Sequence, residues 1–211
     1  MPTRRGMPFD LPVSVWYAAA ILIGYLAGGI PFGLVITRLA GLGDIREIGS
    51  GNIGATNVLR TGRKDLALAT LLLDSLKAGL MVLLLSQLSG DRNIGLIAGA
   101  AAFIGHCYPI WLRFKGGKGV ATYAGLLAFA SWKGFVIGAP IWLGLFALTR
   151  ISSLAALSAA AIVPIGAALL GETRFAVYTL ATLSILVFWT HRENLGRLLK
   201  GEEPKFGAKK K

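Results

Sequence analysis

The chain has 211 residues, 55% hydrophobic and only 15% charged, and its mean hydropathy is +0.65. Soluble domains run about 45–50% apolar and about 25% charged, so this composition excludes an ordinary soluble globule and points to one hydrophobic bundle in a membrane. The net charge of +12, from 22 Lys+Arg against 10 Asp+Glu, suits cytoplasmic loops facing anionic lipid; no basic patch is interleaved with aromatics, and nucleic acid is not expected as a partner.

In chain order, Arg4 and Arg5 precede an apolar run from Val13 to about Leu39. That run is too long for a signal-peptide core and reads as a first span, kinked at Pro31. Gly24-x-x-x-Gly28 and Gly29-x-x-x-Gly33 mark faces where another helix can approach closely. A second span is predicted from about Leu66 to Leu88; it contains Asp74 and Lys77, which share a helix face at i,i+3 and neutralise each other. A third runs from about Ile94 to Trp111, with Gly95-x-x-x-Gly99, and the lone Cys107 reads as packing. Val120 to Ala130 is short for a crossing, and Gly134–Leu148, Ile151–Leu170 and Phe175–Thr190 complete seven apolar stretches.

Seven crossings put the termini on opposite sides. With the C-terminus inside, 16 cations lie inside and five outside, Lys77 being set aside as intramembrane. The predicted N-terminus is therefore outside, Arg4 and Arg5 breaking the rule unless translation starts at Met7. The expected fold class is an all-α, polytopic membrane bundle of seven helices, some short or broken. One transmembrane domain is predicted over residues 1–200, with 201–211 as a basic, disordered, lipid-facing cytoplasmic tail.

This topology brings three polar stretches to one face. The first, Gly49–Lys64, combines glycines with Ser50, Asn52, Thr56, Asn57, Arg60, Arg63 and Lys64, the chemistry of an anion pocket. Gly49-x-Gly51-x-x-Gly54 spells a dinucleotide fingerprint, but the charged residues before it are no buried strand, and that reading is rejected. The second, Arg113–Gly119, places Lys118 among Gly116, Gly117 and Gly119; it lacks the first glycine and the Ser/Thr of a nucleotide phosphate loop. His106, just upstream, reads as structural. The third, His191–Lys200, is amphipathic, with His191, Asn194 and Leu198 on one face. His191 is the general-base candidate by residue type, and Arg192, Arg197 and Lys200 are candidate lipid-headgroup ligands.

Gly-Ser-Gly-Asn-Ile-Gly-Ala-Thr-Asn, Gly-His-Cys-Tyr-Pro with Phe-Lys-Gly-Gly-Lys-Gly-Val-Ala-Thr, and His-Arg-Glu-Asn together resemble the acyl-phosphate glycerol-3-phosphate acyltransferase family of bacterial inner membranes, from about Ile21 to Lys200. The resemblance implies acyl transfer from acyl phosphate to the 1-hydroxyl of glycerol 3-phosphate, a seven-helix bundle, and a cytoplasmic-side site. It implies catalytic roles for His191, Asn194, Lys118 and Ser50. Phosphate binding is implied for Gly49, Gly51, Asn52, Thr56, Asn57, Arg60, Gly116, Gly117 and Ser153. No metal or cofactor enters the scheme; membrane lipids, and the enzyme that makes acyl phosphate, are the expected partners. Two dianionic phosphates about 6 Å apart repel by roughly 11 kcal/mol at an effective dielectric of about 20. Arg60 and Lys118, with Arg192 or Arg63, are there to offset this. An acyl phosphate is already activated, so positioning and backbone N–H groups of the glycines suffice without a covalent intermediate. A hydroxyl still needs a base, His191 or a substrate phosphate oxygen. The rival class is a transporter of small phosphorylated solutes, which would set polar groups at the midplane of two repeat halves.

Overall fold

A computed structural model describes residues 11–207; Arg4, Arg5, Met7 and the terminal Lys209–Lys211 lie outside the described residues. Among the described residues there are ten α-helices and no strand: α1 Val13–Gly28, α2 Phe32–Leu39, α3 Ala55–Leu59, α4 Lys64–Ser89, α5 Arg92–Cys107, α6 Val120–Ala130, α7 Trp132–Thr149, α8 Ser152–Leu169, α9 Arg174–Thr190 and α10 Arg192–Leu199. Five apolar segments are long enough to cross a membrane: α1 with α2, α4, α5 with its short 3-10 extension, α7 and α8. The other two, α6 and α9, have 11 and 17 residues.

Several apolar stretches end at a Gly or Pro, although Pro140 and Pro164 lie inside α7 and α8. The first span breaks at residues 29–31, where Pro31 cannot donate to the preceding turn. Small residues let the helices close: a side-chain carbon on Gly24 or Gly28 would lie 2.3 Å from the Ala98 carbonyl oxygen or 2.0 Å from that of Ala102, so α1 packs backbone to backbone on α5. The main core, around Phe103, Leu126, Val163, Leu180 and Val187, joins α4, α5, α6, α8 and α9 and includes Cys107.

At one end of the bundle, Arg92 reaches the Ala130 carbonyl, Ser131 donates to Glu172 at 2.8 Å, and Lys133 reaches the Gly171 carbonyl. These bonds set the end of α4 level with the end of α6. Since α4 has 26 residues and α6 only 11, α6 begins well below the start of α4. The loop before it is therefore recessed into the opposite end of the molecule.

At that opposite end, residues 41–63 form an ordered cap. Ile45, Ile53 and Val58 are fully buried against Leu34 and Ala67, each contributing about 1.5–3 kcal/mol on burial. Asp44 caps a 3-10 turn at Ile45–Glu47 and pairs with Arg38 and Arg46. Residues 201–207, expected as a disordered lipid-facing tail, instead return to the bundle. Phe206 donates its N–H to the Arg150 carbonyl at 2.7 Å and its ring meets Phe146. Aromatic burial and the polar contacts of Glu203 oppose release of this segment.

Candidate active site

Three helices start at one place. Lys118 and Gly119 immediately precede α6, Ser152 and Ser153 open α8, and His191 and Asn194 lie at the start of α10. Each helix start carries unpaired N–H groups and a partial positive charge, so three together favour an anion.

The side chains there form one chain of hydrogen bonds. The Lys118 ammonium donates to Asn194 Oδ1. Asn194 Nδ2 donates to Glu203 Oε1 at 2.5 Å, and Ser153 Oγ donates to the same oxygen at 2.6 Å. Arg197 Nε donates to Glu203 Oε2 at 2.7 Å. Next to Ser153, Ser152 Oγ lies 3.3 Å from Thr56 Oγ1, which ties in the first motif. Thr190 Oγ1 donates to the Lys118 carbonyl at 3.2 Å. All three motifs thus meet at one end of the bundle, as expected from the topology.

Electrostatics follow from burial. Burial pulls Lys118 below the ordinary lysine value, against the pull of Glu203, with Arg197 and Arg60 adding to the fall. Burial opposes ionisation of Glu203, but its bonds from Ser153, Asn194 and Arg197 hold the carboxylate below its usual range. His191 is buried and pushed down to about 4 by desolvation, the Val187 carbonyl opposing and Lys118 adding. Its Nδ1–H donates to that carbonyl at 2.9 Å, so the neutral ring keeps its lone pair on Nε2.

Several residues occupy other roles than expected. Asn57 donates both amide hydrogens to carbonyls, of Ile45 and Ile48, each at 2.9 Å, and accepts at Oδ1 from Ser50 N–H at 3.0 Å. With both donors engaged, Asn57 shapes the loop. Gly49, at φ 59°, leaves room for this contact: a side-chain carbon would sit 2.4 Å from Asn57 Oδ1. Arg60 Nη1 is 3.4 Å from the same oxygen.

Gly116 and Gly117 donate their N–H groups to the carbonyls of Cys107 and His106, both at 3.0 Å. These bonds position the loop. Likewise the Gly51 N–H is spent on the Ile48 carbonyl at 3.0 Å. Arg63 pairs with Asp65, and Arg192 lies over the Trp189 ring. Arg192 borders an apolar groove of about 500 Å³ with Ile185, Phe188 and Leu199. Neither arginine is counted among the site cations. Ser50 stays at the loop surface beside Asn57, and Asn52 is half-buried.

Glu203 is the site residue that motif reading missed, because it lies beyond the third motif and nothing local marks it. Asp74 and Lys77 pair at 2.7 Å, as expected, but His106 joins them, its Nδ1 2.8 Å from Lys77 Nζ. A saturated cluster of this kind is not the open midplane site a transporter needs.

A family profile described as "Glycerol-3-phosphate acyltransferase" matches residues 18–201. A glycerol-3-phosphate acyltransferase of Hyphomonas neptunium is 70% identical over 203 residues, covering 95% of this chain and 98% of its own length. Two crystal structures of PlsY, an integral membrane glycerol 3-phosphate acyltransferase, share the fold. The glycerol 3-phosphate form has a TM-score of 0.84 at 36% identity, over 90% of this chain and 96% of its own. The lysophosphatidic acid form has a TM-score of 0.83 at 35% identity, over 90% and 95%. These matches support an acyltransferase and leave the transporter reading without support. The chain belongs to the glycerol-3-phosphate acyltransferase family and is an integral membrane acyltransferase of the PlsY type.

Proposed function

We propose that the chain transfers a fatty acyl group from acyl phosphate to the 1-hydroxyl of glycerol 3-phosphate, giving 1-acyl-glycerol 3-phosphate at the cytoplasmic face of a bacterial inner membrane. The observation that carries this reading is the hydrogen-bonded set Lys118–Asn194–Glu203–Ser153 at the starts of α6, α8 and α10. Solved relatives in glycerol 3-phosphate and lysophosphatidic acid forms support it. The far end carries, among the described residues, only Arg92, Lys133 and Arg174 as cations, while loop cations crowd the site end. That asymmetry supports a cytoplasmic site. Seven crossings follow if α6 and α9 also traverse, α6 as a short recessed helix.

In this reading Lys118 and Arg60 separate the two phosphates, lysine as a point charge and arginine as a fork. Ser50, Asn52 and Thr56 supply hydroxyl and amide groups around them, and Ser153 joins them once its hydroxyl turns from Glu203 to phosphate. The 1-hydroxyl oxygen attacks the acyl carbon, the C–O bond to phosphate breaks, and the hydroxyl proton ends on the departing phosphate as hydrogen phosphate. Even a phosphate ester dianion, with a pKa of about 6, is a stronger base than His191 at about 4, and the trianion that departs as the C–O bond breaks is stronger still. His191 Nε2 therefore accepts the hydroxyl hydrogen bond and orients the nucleophile, and the leaving phosphate takes the proton.

Purified protein incubated with palmitoyl phosphate and labelled glycerol 3-phosphate should give labelled 1-acyl-glycerol 3-phosphate with one orthophosphate released per ester. Turnover with palmitoyl-CoA and none with palmitoyl phosphate would overturn the donor. A His191→Gln protein with undiminished kcat would remove histidine from the mechanism.

A further inference from the structure

The reaction leaves one buried cluster unused. Asp74, Lys77 and His106 are all at most 6% exposed, and Lys77 Nζ is the centre of the group. It lies 2.7 Å from Asp74 Oδ1, 2.9 Å from the Ile30 carbonyl oxygen and 2.8 Å from His106 Nδ1. The Ile30 carbonyl is one that the Pro31 break removes from helix pairing. An ammonium has three hydrogens, and here each has an acceptor. His106 Nδ1 therefore carries a lone pair, and the ring proton is on Nε2.

The other edge of that ring faces the second motif. A side-chain carbon on Gly117 would lie 2.1 Å from His106 Nε2 and 2.8 Å from Cε1, so only glycine lets the loop rest on the imidazole. The His106 carbonyl also accepts the Gly117 N–H. Backbone and ring of one residue thus hold the residue directly before Lys118.

Burying an ion pair costs as much as it returns, and an apolar pair of similar volume commonly folds as well. The cluster is better explained by what it holds in place. We infer that Asp74, Lys77 and His106 are positioning residues: the Lys77 ammonium fixes the His106 ring, and the ring sets the height and direction of the Gly117–Lys118 segment that receives substrate phosphate. This rests on the reading of Lys118 as a phosphate ligand. The path runs from the first-span break, through α4 and the end of α5, to the loop before α6.

The test compares Asp74→Leu/Lys77→Met, His106→Asn and Lys118→Ala in detergent micelles, with palmitoyl phosphate saturating and glycerol 3-phosphate varied. The double variant removes both charges and keeps the volume, so its thermal midpoint should stay within about 3 °C. His106→Asn offers an Oδ1 acceptor to Lys77, so the buried ammonium keeps its bonds while the ring contact with Gly117 is lost. Both should raise KM for glycerol 3-phosphate about tenfold, with kcat changed less than about threefold, because misplacement of a ligand by a fraction of an ångström weakens binding without removing the reacting groups. A merely structural role would lower the active fraction, and so kcat, at unchanged KM. Unchanged KM in either folded variant, with KM raised by Lys118→Ala, overturns the inference alone. Unchanged KM in Lys118→Ala overturns the reading of the loop, and the inference with it.

Discussion

The Glu203 carboxylate accepts three hydrogen bonds, from Ser153, Asn194 and Arg197, and it spans two helix starts in doing so. Charge-assisted bonds of this kind are worth about 1.5–3 kcal/mol each, and a buried partner left unsatisfied costs more. Glu203→Gln turns one acceptor into a donor facing donors. It should lower kcat/KM by roughly 10–100-fold in steady-state assays and lower the thermal midpoint; a variant with parental kinetics would show that Asn194 needs no such anchor. His191 supplies a pH prediction. Its folded-state pKa is below its unfolded value, so its contribution to stability is complete above about 6.5 and is lost as pH falls toward about 4. The loss reaches roughly 3 kcal/mol at pH 4, and replacing His191 by glutamine should flatten that part of a stability–pH curve measured by thermal unfolding. That Lys118 and Asn194 come together was legible in the predicted topology and the residue types of the second and third motifs. Glu203 was not, because its role comes from where the chain returns, and nothing local distinguishes it from the adjacent Glu202.

The loop before α6 is held by close approach, a property of the element and not of any one donor. Gly117→Ala would drive a methyl group into the imidazole of His106. The ring is fixed by Lys77, so the loop must move, and activity should fall by at least about tenfold, consistent with overpacking penalties of about 1–3 kcal/mol. Gly144→Ala is the control: nothing lies within 4 Å of a side-chain carbon there, and activity should not change. Equal activity in both variants would mean that the loop tolerates displacement. The helices themselves were readable to within a few residues. Val120–Ala130 was bounded by Gly119 and Ser131 on sight, and Pro31 announced the break between α1 and α2. What the pattern hid was the order inside residues 41–63. There Asn57 reaches back to Ile45 and Ile48, a contact between residues 12 and nine apart that no helical or strand period encodes. Asn57, Gly116 and Gly117 also shape these loops through their own hydrogen bonds, since loop-shaping and anion-binding draw on the same residue types.

Across the whole molecule, the two ends differ in kind. One is closed by Ser131–Glu172 and Lys133–Gly171 bonds, and the other holds the polar motifs. Single cysteines replacing Lys64, Lys115 and Lys200, with buried Cys107 left in place, should react with an impermeant maleimide only from the cytoplasmic side of oriented vesicles. A cysteine at position 133 should react only from the other side. Labelling of Lys64 and Lys115 positions from opposite faces would separate the motifs and dissolve the common site. Membrane class was plain in the composition, but the number of crossings rests on α6 and α9, whose lengths fall below a full span and depend on local bilayer thickness. The three helix starts gathered at the site bear on inhibition. Their positive field comes from peptide dipoles, which neither titrate nor distinguish one oxyanion from another. Orthophosphate, set free at every turnover in the proposed reaction, would then compete with incoming glycerol 3-phosphate. In a cell rich in phosphate salts, the rate of membrane growth through this enzyme would track the ratio of the two, not the supply of either alone.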